Sequence, residues 1–192
     1  EAAHPEVRCY RYWPELSSDC RLMNKLLRDL TDYSMSDQLT KQRSDLCNLL
    51  RRAYLSCLPL TEGTNKTLTY TSRVSCAYMP LDSPKMMEAL LNLIVNALDA
   101  VSDNGSVQII LTKSNEQFVV SIIDDGCGIA PKQLLTIFHP FTTTKPDGTG
   151  LGLPVAKRII EGHGGHIRVS SAPNQGATFT FLLPCSFSSD KK

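Results

Sequence analysis

The chain has 192 residues, 42% hydrophobic and 20% charged, enough for one domain or for one domain with a smaller appendage. A formal net charge of +1 excludes a global electrostatic attraction to nucleic acid or to an anionic membrane. No stretch approaches the roughly 20 apolar residues that span a bilayer, because the most apolar one, 89–101, is interrupted by Asn92, Asn96 and Asp99. Seven cysteines (Cys9, Cys20, Cys47, Cys57, Cys76, Cys127, Cys185) form no C-x-x-C pair, which suits reduced, mostly structural thiols in a cytosolic compartment. The start, Glu1-Ala2-Ala3-His4-Pro5, has neither the basic region nor the apolar run of a signal peptide, and it lacks an initiating Met. The reading is a soluble, intracellular piece of a longer chain.

Leu16, Cys20, Met23, Leu27, Leu30 and Ser34 recur in steps of four and three and predict a helix over about 14–34. Such a seam packs along another helix in a bundle or coiled coil, or lies as an amphipathic face on its own domain. A second helix is predicted behind Ser44-Asp45, a good N-cap, through Leu46, Leu49, Leu50 and Ala53 toward Cys57. After the turn-like 61–65 the pattern changes. Residues 67–75 alternate like a strand, and Ser83-Pro84 opens a helix to about Val101, with Pro at its first position. Asn104-Gly105 turns into strands at 107–111 and 117–123. A Gly- and Thr-rich segment, 126–152, leads to a short helix at 153–161 that starts with Pro154 and stops at Gly162. Strands at 166–171 and 177–183 close a hairpin about Pro173-Asn174-Gln175-Gly176. The sum is an α+β, two-layer sandwich, a mixed sheet covered by helices on one face and preceded by one or two helices.

Four elements carry candidate chemistry. On the 84–101 helix, Met87, Leu90, Leu91, Ile94, Val95 and Leu98 read as the core stripe, while Glu88, Asn92, Asn96 and Asp99 share another face. That row reads either as a solvated face or as oxygen ligands for Mg²⁺ and the phosphates it carries, since Mg²⁺ prefers oxygen donors. Asp124-Asp125-Gly126-Cys127-Gly128 places a carboxylate at a strand end beside backbone that a flat ligand can approach, though acid-glycine turns are also common structure. Gly148-Thr149-Gly150-Leu151-Gly152-Leu153 offers N–H groups at a helix start, an anion cradle that matches neither the P-loop nor the dinucleotide fingerprint. Between them, the long segment 129–149 reads as a lid. Phe138 and Phe141 are candidate anchors of it on the core, and Lys145 either reaches a phosphate or is a solubilising lysine. A Zn²⁺ site from His163, His166 and a cysteine lacks a second ligand pair.

Together and in this order, the four elements resemble the nucleotide-binding boxes of the GHKL ATPase superfamily, in its sensor histidine kinase branch. Glu88-Ala-Leu-Leu-Asn92-Leu-Ile-Val-Asn96-Ala97 resembles the N box, 124–128 the G1 box, 137–145 the F box and 148–153 the G2 box. The closing hairpin, from Gly164-Gly165-His166-Ile167 to Leu183-Pro184, is similar too, and the likeness spans roughly 66–185.

The resemblance implies a Bergerat-type ATP fold, ATP and Mg²⁺ as ligands, and transfer of the γ-phosphoryl to a histidine on a two-helix dimerisation hairpin. It implies that Asp124 accepts the adenine amino hydrogens and that Asn96 coordinates Mg²⁺, with Asn92 a second candidate near metal or phosphate. Glu88 would stand where relatives place an acid-base or orienting residue, and Lys145 would bind the phosphate tail. Gly126, Gly128, Ile129, Phe138, Thr144, Gly148, Thr149, Gly150, Leu151, Gly152 and Leu153 would shape the pocket and the lid hinge. Relatives often have Thr directly after Gly176. Ala177 stands here, which makes Thr178 a candidate substitute.

The acceptor motif, a His followed by an acid, a polar residue and Pro, does not occur. Residues 1–58 would then be part of the dimerisation region (second hairpin helix 14–34, linker helix 45–58), 59–185 the catalytic domain and 186–192 a disordered tail. Implied partners are the histidine-bearing helix, a response regulator receiver domain and a second copy in a homodimer, with no nucleic acid. The alternative is a module of the serine-kinase anti-sigma or ATP-driven clamp type.

Overall fold

The computed structural model describes residues 39–145 and 148–185, and the single positions Trp13, Leu16, Ser17, Cys20 and Met23. The predicted helix over 14–34 and the tail 186–192 therefore lie largely or wholly outside the described residues.

A short antiparallel ribbon comes first: β1 (Gln42–Asp45) pairs with β3 (Tyr78–Leu81), Asp45 opposite Tyr78. Neither strand is legible in the sequence. β1 is Gln-Arg-Ser-Asp, with no apolar alternation, and β3 carries Pro80, which a ladder tolerates only at an edge. Between them run α1 (Leu46–Cys57), a single 3₁₀ turn (Leu58–Thr61) and β2 (Thr67–Ser72), which ends three residues before the predicted boundary. Asp45 caps α1 by accepting the Cys47 N–H at 3.0 Å, as its sequence position suggested. The predicted linker helix buries Leu46, Leu49, Leu50, Ala53 and Cys57 in the same core as the rest of the chain.

α2 (Ser83–Ala100) follows, capped by Asp82, whose carboxylate accepts the Lys85 N–H at 3.1 Å. Then come β4 (Ser106–Ser114), β5 (Gln117–Asp124), the one-turn α3 (Pro131–Leu134), α4 (Gly152–Gly162), β6 (His166–Ser171) and β7 (Ala177–Pro184). The main sheet has the order β2-β4-β5-β7-β6, with β2 parallel to β4 and every other neighbour antiparallel. A mixed sheet with α2 and α4 on one face is the predicted two-layer α+β sandwich. Strict alternation tells which face is inside. Val107, Ile109, Leu111, Phe118, Val120, Ile122, Phe179, Phe181 and Leu183 point to the helices and are buried.

The core stripe of α2 differs from the sequence reading. Met86, Ala89, Leu90, Leu93, Ile94, Ala97 and Leu98 are buried, whereas Met87, Leu91 and Val95 are only half-buried at its margins. Small residues decide this. Ala89 and Ala97 let α2 approach its neighbours closely, so the buried arc is centred one residue away from where the larger side chains put it. Each larger side chain buried there contributes about 1.5–3 kcal/mol.

Candidate functional site

The polar row on α2 lies beside the segment 126–152, and three successive turns of the helix each touch a different part of it. At the first, the position a Cβ on Gly152 would take lies 3.4 Å from Asn92 Oδ1, so the N-terminus of α4 abuts the Asn92 amide. One turn on, Lys145 Nζ donates to Asn96 Oδ1 at 3.2 Å and pairs with Asp99 Oδ2 at 2.9 Å. At the last, Cys127 N–H donates to Ala100 O at 3.1 Å. Gly126 is pressed so close there that a Cβ would stand 2.4 Å from the same carbonyl oxygen, which is why only glycine fits.

Asp124 ends β5 and is buried. Its Oδ1 accepts two backbone N–H groups, from Gly126 at 3.0 Å and from Ala177 across the β5–β7 pairing at 3.1 Å. Both bonds fall on one oxygen, which leaves Oδ2 to a ligand. Burial pushes the carboxyl above its ordinary range and outweighs the two N–H donors, while the neighbouring Asp125 charge raises it further. Asp125 behaves oppositely. Exposed, it accepts the Ser106 N–H at 2.8 Å and the Ser106 hydroxyl at 2.7 Å, and those bonds hold its carboxyl below the usual range. Of two adjacent acids, Asp125 fastens the start of β4 and Asp124 is available for recognition.

The segment between is fastened at both ends. Ile129 N–H donates to Ser171 Oγ at 2.8 Å, and Asn174 N–H to Cys127 O at 2.7 Å. Phe138 packs edge-on against Phe179 with ring centres 6.5 Å apart, and Lys157 Nζ stands 5.5 Å from its ring centre. Phe141 N–H donates to Gly150 O at 3.1 Å, while Thr149 and Leu151 are buried. Lys145 and Thr144 therefore project from a strap with fixed feet.

These boxes are what known proteins share. The model of the histidine kinase-, DNA gyrase B-, and HSP90-like ATPases matches residues 81–186. The chain belongs to that family. Within it the chain is an ATP-binding catalytic domain of the sensor histidine kinase kind. It is 32% identical over 170 residues to the sensor histidine kinase ZraS of Salmonella typhimurium, covering 88% of this chain and 37% of that protein. To the signal transduction histidine-protein kinase AtoS of Escherichia coli it is 36% identical, over 84% of this chain and 27% of that one. This chain thus spans about a third of the length of the curated relatives it matches. Among solved structures, the catalytic domain of histidine kinase ThkA superposes with a TM-score of 0.70 at 29% identity, over 76% of this chain and 96% of that one. The longer ThkA chain in complex with the response regulator TrrA gives 0.77 at 24% identity, over 94% of this chain and 52% of that one.

Set against the family's boxes, most sequence-predicted site residues converge on α2. Asn92, Asn96 and Lys145 meet as described, and Asp124, Gly126, Gly128, Ile129, Gly148, Thr149, Gly150, Leu151, Gly152 and Leu153 line the two fastened ends. Four differ. Glu88 is in an ion pair with Lys85 at 3.0 Å, one turn further from Lys145 than Asn92. Phe138 belongs to the core contact with Phe179 and is an anchor of the strap, but Phe141 is 65% exposed and anchors nothing with its ring. Thr178 pairs with Ile123, and alternation turns both away from Asp124 and Ala177 to the opposite face of the sheet. It therefore cannot stand in for a hydroxyl at position 177. Asp99, noted only as a member of the row, is the carboxylate that holds Lys145; its place three residues after Asn96 was the available signal.

The Zn²⁺ idea fails on His163. Its buried ring accepts the Asp82 N–H on Nε2 at 2.9 Å and donates from Nδ1 to Ile159 O at 2.7 Å, so both nitrogens are committed. No cluster of metal-ligating side chains occurs among the described residues. The ring instead ties the end of α4 to the cap of α2. Because Asp82 N–H can only donate, Nε2 must be unprotonated, and burial lowers the ring's pKa below the ordinary 6.5. The unfolded chain therefore takes up the proton first. Stability is expected to hold above pH 6.5 and fall below it, by up to ~1.4 kcal/mol per pH unit, until the folded ring itself titrates. Urea midpoints at pH 7.5, 6 and 5 check this, and the His163→Gln variant should lose that part of the slope.

Proposed function

We propose that this chain binds Mg-ATP between α2, the end of β5 and the strap 129–149, and that in its longer protein it passes the γ-phosphoryl to a histidine on a dimerisation helix. The observation that carries the reading is the Lys145 ammonium seated on Asn96 Oδ1 and Asp99 Oδ2, a cation already held by the oxygen row of α2. Such a row suits Mg²⁺, a hard cation that takes oxygen ligands. When bound, Mg²⁺ supplies neutralisation of phosphate charge. Asn96, with Asn92 beside it, would hold the metal. Asp124 Oδ2 accepts from the adenine amino group, and Gly126 lets the base lie against backbone. The N–H groups at the start of α4 and the Lys145 ammonium face the phosphates, where a helix N-terminus and a cation both favour negative charge. Glu88 is a candidate orienting residue once its ion pair with Lys85 is exchanged. Transfer then depends on positioning and on charge, with little covalent work for the protein.

The same reading assigns residues 1–58 to part of a dimerisation region, 59–185 to the catalytic unit, and the working assembly to a homodimer that serves a response regulator. A relative of similar fold, ThkA, has been solved with its response regulator TrrA. No helix among the described residues is long and apolar enough to cross a membrane.

The full-length protein with γ-labelled ATP and Mg²⁺ is expected to acquire acid-labile, base-stable phosphate. The Asn96→Ala variant should lower the rate by at least about 100-fold, since a metal contributes several kcal/mol of charge stabilisation. Acid-stable label on serine, or equal rates in the variant, overturns the reading.

A further inference from the structure

The ribbon β1–β3 brings two cysteines together that are far apart in sequence. The ladder ends with Asp45 opposite Tyr78, and α1 starts at the next residue, so Cys47 lies in its first turn and Cys76 two residues ahead of β3. The two segments stay in contact past the ladder, because Leu46 N–H donates to Ala77 O at 2.9 Å. A single oxygen then clamps both sides. Asp45 Oδ1 accepts the Cys47 N–H at 3.0 Å and the Ala77 N–H, the amide next after Cys76, at 2.9 Å. Two amides on one oxygen put the backbone of Cys47 close to the Cys76–Ala77 peptide, and a disulfide joins residues whose Cα atoms stand about 4.4–6.8 Å apart.

Both sulfurs are free thiols. Cys76 is exposed, and Cys47 is half-buried with its Sγ 3.8 Å from Ser72 Oγ and from Val74 O, on the side of the loop that leads to Cys76. Burial raises the Cys47 thiol above its ordinary value, and the charges of Asp45 and Cys76 add to that, which places the two thiols within electrostatic reach of one another. The other charged or titratable groups near the pair are Tyr70, whose hydroxyl donates to Cys47 O at 3.2 Å, and Arg51 beyond it.

We infer that Cys47 and Cys76 form a thiol pair that a small disulfide, such as oxidised glutathione, converts to an intramolecular disulfide joining the first turn of α1 to the loop before β3. The exposed Cys76 meets the oxidant first. Its thiolate attacks one sulfur of the small disulfide, a protein–glutathione S–S bond forms, and one glutathione thiolate leaves and takes a proton from water. Cys47 then gives its proton to solvent and attacks the Cys76 sulfur, and the second glutathione leaves. Two protein thiols are oxidised and one small disulfide is reduced to two thiols. The half-burial of Cys47 makes it the resolving partner, since it reaches Cys76 more readily than it reaches solvent. The bond closes over α1, β2 and the turn between them. It would fix α1 against the ribbon, and the inference stands independently of the nucleotide site.

The chain is incubated with oxidised glutathione, quenched and alkylated in denaturant, and digested without reductant. Expected are the loss of two of the seven thiols, a peptide pair joining Cys47 to Cys76, no retained glutathione, and full reversal by dithiothreitol. Cys47→Ser should keep one glutathione on Cys76, and the exposed Cys76→Ser should leave Cys47 reduced. A persistent glutathione adduct on wild-type Cys76, or a bond from Cys76 to any other cysteine, overturns the inference. If Cys47→Ser fails to fold, the wild-type peptide map and Cys76→Ser decide alone.

Discussion

Asp124→Asn is expected to bind Mg-ADP about 100-fold more weakly than the wild type, a loss of ~2.7 kcal/mol, while folding at least as stably. The argument rests on how the two oxygens are used. Oδ1 is occupied by the Gly126 and Ala177 N–H groups, and an asparagine oxygen keeps both bonds. Its NH₂ then takes the place of Oδ2 and meets the adenine amino group donor to donor. A site built to accept is left with an unpaired donor on each side, which costs more than a missing contact. Stability moves the other way. The folded pKa of Asp124 lies above the ordinary 3.8 because burial disfavours its charge. Such a group adds stability below its unfolded pKa, and that contribution is lost as pH rises through the folded value. Near neutrality the wild type therefore bears a penalty that the variant lacks. Calorimetric titration of Mg-ADP, paired with urea unfolding at pH 7.5, checks both halves. Equal affinities would remove Asp124 from recognition, and a collapse of stability would make it structural.

Gly176→Ala is expected to cost about 3 kcal/mol or more of stability and to abolish nucleotide binding with it. Gly176 has φ +68, and a Cβ there would lie 1.9 Å from Asp124 O and 2.9 Å from the Asp125 Cα. Every atom in the way is backbone, so no rotamer relieves the contact. The β5–β7 pairing at Asp124 and Ala177 must open, and with it goes the N–H that orients the carboxylate. Gly63→Ala is the matched control. Its φ is +73 with nothing within 4 Å, so it should cost only the left-handed conformation, about 1 kcal/mol. Urea unfolding of the two variants separates backbone strain from steric contact. Similar losses would mean that the hairpin turn shifts to admit a methyl group.

A swap of roles between neighbours explains why some of the site was hidden in the sequence. Asp124 and Asp125 are identical in type and adjacent. Only the Ser106 hydrogen bonds on one and the β7 pairing on the other distinguish the exposed fastener from the acid buried at the strand end. Lys145 belongs to a long segment of no periodicity, and its seat on Asn96 and Asp99 spans more than forty residues of sequence. Thr178 looked interchangeable with its neighbour along the chain, yet strand alternation places it on the wrong face.

What the sequence by itself determined was local and periodic. The 3.6-residue recurrence in α1 and α2, the alternation of β4, β5 and β7, the cap at Asp45, and the ordered glycine boxes each depend on near neighbours and elementary backbone geometry. From these the α+β sandwich could be read. What only the tertiary structure decided were contacts that depend on partners distant along the chain. Those are the ribbon of β1 with β3, the arc that α2 buries around its alanines, the ring of His163 between two helix ends, and the clamp of Asp45 on the N–H groups of Cys47 and Ala77. A side chain's neighbours along the chain fix its backbone conformation, but its burial and its hydrogen bonds are fixed by what folds against it.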